Sequence, residues 1–147
     1  MARYCNHTRL DARTARVPKT MVQSEPLLSI ELPAQASSIA EARRAVERVA
    51  AECGAERTDV ALAVTEAVTN AYCHGYRGDA DGEIQVSAEL EGGQLVVAVV
   101  DRGVGMSPHP DWNGFGMGLP MIGHLSSPVH FEDVDPGVCI RMYFDTH

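Results

Sequence analysis

Lysine is almost absent from this chain: Lys19 is the only one, and every other positive charge is an arginine. Cysteine is sparse and scattered, at Cys5, Cys53, Cys73 and Cys139, with no C-x-x-C pair and no Cys/His cluster at zinc-ligand spacing. That spacing offers neither a disulfide framework nor a metal site, and reduced cytosolic thiols are the expectation. Cys53 and Cys73 fall in helical stretches and Cys139 in a strand-like one, where a small buried hydrophobe explains each. No apolar run approaches the roughly 18 residues that a membrane span requires, so the chain reads as soluble and cytoplasmic, with no membrane contact. The net charge of −8 argues against a primary role on nucleic acid, which needs a basic surface.

What is present fits one domain with a proper core, at 147 residues and 45% apolar content. The charge is uneven. Residues 1–24 carry Arg3, Arg9, Arg13, Arg16 and Lys19 against the single acid Asp11, while the remainder holds nineteen acids against seven arginines. This leader has no apolar periodicity and no apolar core of signal-peptide length, so it reads as a disordered, dispensable basic extension of a domain spanning 25–147.

The domain opens with Leu27 to Leu32, a short alternating strand closed by Pro33. Ser37 or Ser38, with Glu41 as the capping-box acid, then predicts a helix to about Cys53, with Ile39, Ala42, Val46, Val49 and Ala50 on its apolar side and Gly54 as its stop. A second helix starts near Thr58 and places Val60, Val64, Ala67, Val68 and Ala71 on one face. Glu66, Asn70 and His74 fall four apart on its side, and Gly75 supplies a stop. Taken alone, that polar row reads as a solvated stripe. Two strand-like runs follow, Glu83 to Glu91 and Gln94 to Asp101, joined by Gly92-Gly93 as a hairpin. The second run is nearly all apolar, as a central strand would be.

Asp101-Arg102-Gly103-Val104-Gly105 ends that strand with a carboxylate and alternate glycines. By itself this is a tight turn with an acidic start. A buried aspartate there also has a chemical use: it accepts a hydrogen bond from the exocyclic amine of adenine and would meet guanine's carbonyl lone pair to lone pair. Residues 107–113 then read as a flap. Gly114, Gly116 and Gly118, followed by Leu119, form a glycine-rich loop feeding a short helix, the kind of backbone that receives phosphate. It is neither a P-loop nor a Rossmann fingerprint, since no G-K-[ST] follows and no strand opens into it. Two more strand-like runs, about Val129 to Val134 and Val138 to Phe144, turn at Asp135-Pro136-Gly137. The tally predicts an α+β, two-layer sandwich with helices on one face of a mixed, largely antiparallel sheet.

The order E-x-x-x-N-A-x-x-H-G, D-x-G-x-G, G-x-G-x-G-L-x-x-I resembles the Bergerat (GHKL, histidine-kinase-like ATPase) fold. More narrowly, residues 26–145 resemble the bacterial anti-sigma factor serine/threonine kinases. The resemblance implies ATP and Mg²⁺ as ligands, Glu66 as the catalytic carboxylate, and Asn70 as a Mg²⁺ ligand. It further implies Asp101 as the adenine reader, Gly103 and Gly105 beside the base, and Gly114, Gly116, Gly118 and Leu119 around the phosphates. His74 is expected to serve the helix end rather than chemistry. The implied partners are a sigma factor, an anti-anti-sigma protein of the STAS type carrying the substrate serine, and a second copy through the first strand or its neighbourhood. Two departures stand out. Relatives usually carry threonine after the glycine of the last hairpin, where this chain has Val138, and no Lys or Arg lies between Gly103 and Gly118. These leave open a second reading, a nucleotide-responsive module that sequesters a partner without transferring phosphate.

Overall fold

A computed structural model of the chain describes residues 25–75, 82–103, 125–126, 128–134 and 137–147. The glycine loop at 114–122, the flap and the leader lie outside the described residues. The elements, in chain order, are β1 (Leu28–Pro33), α1 (Ala36–Cys53), α2 (Arg57–Asn70), β2 (Glu83–Glu91), β3 (Gln94–Asp101), β4 (Val129–Asp133) and β5 (Val138–Asp145).

The strands form one five-stranded sheet in the order β1-β2-β3-β5-β4. Every described pairing is antiparallel, so the sheet contains none of the parallel component that "mixed" would require among these strands. Both helices pack on one face, giving the expected two-layer sandwich. The core is built from period 3.6 on one side and period 2 on the other. Val60, Val64, Ala67, Val68 and Ala71 of the second helical segment are all within 3% exposure, and they meet Leu95, Val97 and Val99 from β3 and Ile140 and Met142 from β5. β3 is central, as its apolar run predicts.

Local chemistry sets the boundaries. Gly92 and Gly93 adopt φ of 59° and 80°, which a two-residue primed turn needs, and the β2–β3 hairpin forms around them. Gly54 ends α1 at φ 78°, its N–H returning to the Ala50 carbonyl. The start of α1 differs from the expected capping box. Gln35 occupies the N-cap position without a side-chain cap bond, and the fully buried Ser38 hydroxyl donates instead to the carbonyl of Pro33. That serine ties the helix to the end of β1, so it is not free to cap.

The end of α2 also differs. The α-helix stops at Asn70, and Ala71–Gly75 form one π-helical turn. Thr65 and Thr69 each donate a hydroxyl to the carbonyl four residues back, at 2.7 Å, a pattern that bends helices. The wider turn breaks the four-residue row: Glu66 and Asn70 share one side of α2, and His74 belongs to a segment with a different pitch.

Candidate functional site

Asp101 is the last residue of β3 and sits in the middle of the sheet, opposite Ile84 of β2 on one side and Val138 of β5 on the other. Alternation puts it on the helix-facing side with Leu95, Val97 and Val99. It is 3% exposed. One carboxyl oxygen accepts the N–H of Gly103 at 3.0 Å, the geometry of an Asx turn. Burial between two apolar neighbours raises its pKa from 3.8 to about 6, against the opposing pull of that N–H.

Gly137 packs against the backbone of Asp101. It adopts φ +109°, and a β-carbon there would stand 1.9 Å from the Asp101 carbonyl oxygen and 2.6 Å from the Arg102 α-carbon. The turn into β5 therefore lies directly on the backbone that carries the carboxylate. The sequence marks Gly137 only as a turn residue and gives Ile84 no role. Ile84 is placed there by the register of the β2–β3 hairpin, whereas Gly137 is brought there by the long-range pairing of β5 with β3, which no local signal gives.

From the helix layer, Glu66 and Asn70 lie one turn apart beside the buried stripe of α2, both half-buried. The Asn70 amide nitrogen is fully buried and has no hydrogen-bond partner among the described residues. A buried amide left in that state costs about 1–3 kcal/mol, which a ligand oxygen would recover. α2 and the π-helical turn both pack against β3, the strand that carries Asp101. Thus Glu66 and Asn70 form one group, Asp101, Gly103, Gly137 and Val138 another, and both belong to the same helix-on-sheet layer. Gly105, Gly114, Gly116, Gly118 and Leu119 lie outside the described residues, as does the side chain of His74. Among the described residues no cluster of three or more His, Cys, Asp or Glu could hold a metal ion.

The donor set fits a nucleotide with its magnesium. Asp101 offers an acceptor in a dry pocket, Asn70 a buried unpaired amide whose oxygen is also a hard ligand, and Glu66 a carboxylate one turn away. A helix-covered antiparallel sheet with a buried strand-end aspartate and a helix-borne Glu/Asn pair defines a protein of the ATP-binding two-layer class. The family model for the histidine kinase-like ATPase domain matches residues 32–144, and the chain belongs to that family.

Similar proteins narrow the comparison. The chain is 34% identical to the anti-sigma F factor of Clostridium beijerinckii, over 67% of this chain and 79% of the relative. It is also 34% identical to the anti-sigma F factor of Clostridium botulinum Eklund 17B, over 80% of this chain and 93% of the relative. Among solved structures, the RsbU and RsbW domains of Rv1364c from Mycobacterium tuberculosis superpose with a TM-score of 0.61 at 30% identity. That match covers 83% of this chain but only 32% of the larger one. The catalytic domain of the histidine kinase ThkA superposes with a TM-score of 0.53 at 16% identity over 82% of this chain and 98% of its own, a likeness of fold alone.

Proposed function

We propose that this chain is a cytoplasmic anti-sigma factor that binds ATP with Mg²⁺ and phosphorylates a serine on an anti-anti-sigma partner of the STAS type, so setting how much sigma factor is free. The observation that carries the nucleotide assignment is Asp101, buried on the helix-facing side at the end of β3, where it accepts the Gly103 N–H. A carboxylate so placed selects the adenine amine over the guanine carbonyl. The similarity to anti-sigma F factors supports the partner assignment.

In this reading Glu66 accepts the proton of the substrate serine as the new Oγ–P bond forms and the bond from the γ-phosphorus to the departing ADP oxygen breaks. Asn70, one turn on, holds the phosphates or their cation through its side-chain amide. Mg²⁺, when bound, would supply neutralisation of the phosphate charge. The resemblance assigns Gly103 and Gly105 to the side of the base, and Gly114, Gly116, Gly118 and Leu119 to the phosphates. β1 is an edge strand with Leu28 and Ile30 only partly buried, and its neighbourhood is where a second copy would join. No described helix is long and apolar enough to cross a membrane.

A second reading, partner sequestration without phosphoryl transfer, is favoured by Val138. Its isopropyl group stands across from Asp101 on the same face, 6% exposed, where a hydroxyl would help hold adenine. Incubating the chain with Mg-ATP and a candidate STAS protein separates the two. Phosphoserine on the partner, absent with Glu66→Gln, supports the kinase, whereas tight partner binding with no phosphoserine supports sequestration.

A further inference from the structure

α2 changes pitch at the residue that carries its orphaned amide. The α-helical ladder ends at Asn70, the N–H of Ala71 is shared between the carbonyls of Ala67 and Val68, and Ala71–Gly75 then run as a π-helical turn. One bond of that shared pair is tighter than an α-helix makes, and the turn after it is wider. Two threonines stand just before this seam. Thr65 donates its hydroxyl to the carbonyl of Ala61, and Thr69 donates to the carbonyl of Thr65, each at 2.7 Å.

The side of the helix on which those hydroxyls act sets their effect. At about 100° of turn per residue, Thr69 lies about half a circle from the fully buried Val60, on the side of α2 away from the sheet. A carbonyl that accepts a hydroxyl as well as its helical N–H tilts outward, the ladder opens on that side, and the helix curves toward the opposite one. The two hydroxyls therefore lean the last turn of α2 onto β3, which both the helix and the π-helical turn touch.

Asn70 is the residue that this lean moves. By the same count it lies about a quarter circle from Val60, on the flank of the buried stripe and on the side of Glu66. A flank position on a straight amphipathic helix is half wet, yet the Asn70 amide nitrogen is fully buried, without a partner among the described residues. Both threonine hydroxyls donate to backbone, so their hold on Asn70 runs through the helix.

We propose that Thr69, with Thr65 one turn behind it, is a positioning residue: its hydroxyl bond to the Thr65 carbonyl fixes the curvature at the seam and so keeps the Asn70 amide inside the helix-on-sheet layer. The consequence for Mg²⁺ and nucleotide rests on the proposed role of Asn70, whereas the place of the amide belongs to the free chain. Groups that orient a metal-binding side chain without touching the metal cost about 10–100-fold in metal affinity when they are removed.

Thr69→Val in the full chain tests this with little else changed, because valine keeps the shape and the branched β-carbon of threonine at a similar helix propensity. Thr69→Ser restores the hydroxyl. One readout needs no ligand: the side-chain amide protons of Asn70, identified by their loss from the NMR spectrum of Asn70→Ala, should exchange with water about tenfold faster in Thr69→Val and at the wild-type rate in Thr69→Ser. The other is the Mg²⁺ dependence of ATP binding. The Mg²⁺ concentration at half-effect should rise about tenfold in Thr69→Val and return in Thr69→Ser, with ATP affinity in the absence of metal unchanged. Unchanged Asn70 exchange in Thr69→Val overturns the proposal, as does a serine variant that behaves like the valine one. An affinity loss equal with and without Mg²⁺ overturns it too, since a general loosening of the helix would produce that. If the exchange rates shift as expected but the wild type binds ATP no better with Mg²⁺ than without, the positioning by Thr69 stands and it is the metal role of Asn70 that fails.

Discussion

The β-carbon that Gly137 lacks would stand 1.9 Å from the carbonyl oxygen of Asp101. No rotamer relieves such an overlap, because both atoms belong to backbone or are fixed to it. The φ of +109° adds strain for any other residue. The buried carboxylate of Asp101 and the glycine of a distant hairpin are therefore one structural unit.

Gly137→Ala should cost more than about 2 kcal/mol of stability and weaken ATP binding together with it. Gly92→Ala is the matching control. Its φ of 59° is also positive, but nothing lies within 4 Å of the added methyl, so about 1 kcal/mol is expected with ATP affinity intact. Thermal melts and calorimetric titration of both variants check the contrast.

Asp101→Asn should move stability and binding in opposite directions. At neutral pH the buried carboxylate is held against its desolvation, so the neutral amide should raise the melting temperature by a few degrees. The lost charged acceptor should weaken ATP binding by about 1.5–3 kcal/mol. If the variant bound ATP as tightly as the wild type, Asp101 would not be the base reader.

The same carboxylate sets a pH dependence. Its pKa is raised in the folded chain, so the folded state holds the proton more tightly than the unfolded one, and its contribution to stability grows as pH falls from about 6 toward 4. If Asp101 reads adenine as proposed, ATP binding should run the other way, since the ionised carboxylate is the stronger acceptor for the amine. At about pH 5 only about a tenth of the carboxylate is ionised, and the dissociation constant should be about tenfold weaker than above pH 7. Titrations across that window, with Asp101→Asn showing no such slope, test the assignment.

Val138→Thr should tighten ATP binding. The residue pairs with Asp101 across β3 and β5 and points to the same face. A hydroxyl there would offer a bridging water a partner, worth about 0.5–1.5 kcal/mol. The buried hydroxyl should cost some stability in the free chain, visible as a lower melt that ATP restores.

Glu66→Gln should keep ATP affinity and abolish phosphoserine formation, while Asn70→Ala should weaken binding mainly when Mg²⁺ is present. Paired titrations with and without the metal distinguish the two variants.

Much of this was legible in the residues themselves. The 3.6 period of Val60, Val64, Ala67, Val68 and Ala71 names the buried face of α2, and Gly92-Gly93 and Gly54 name their turns, because in each case a local rule and the fold agree. Asp101 was visible as a carboxylate closing an apolar strand. Two things were not legible. The π-helical turn depends on how α2 meets the sheet and leaves no mark in residue spacing. The neighbours of Asp101 follow from placing β5 between β3 and β4, a long-range choice that no window of sequence contains.

That placement makes the surroundings of Asp101 depend on a pairing between strands far apart in the chain. Without β5, β3 would be an edge strand and Asp101 would lose Val138 and Gly137 as neighbours. Loosening β5 should therefore let the carboxyl relax toward its ordinary acidity.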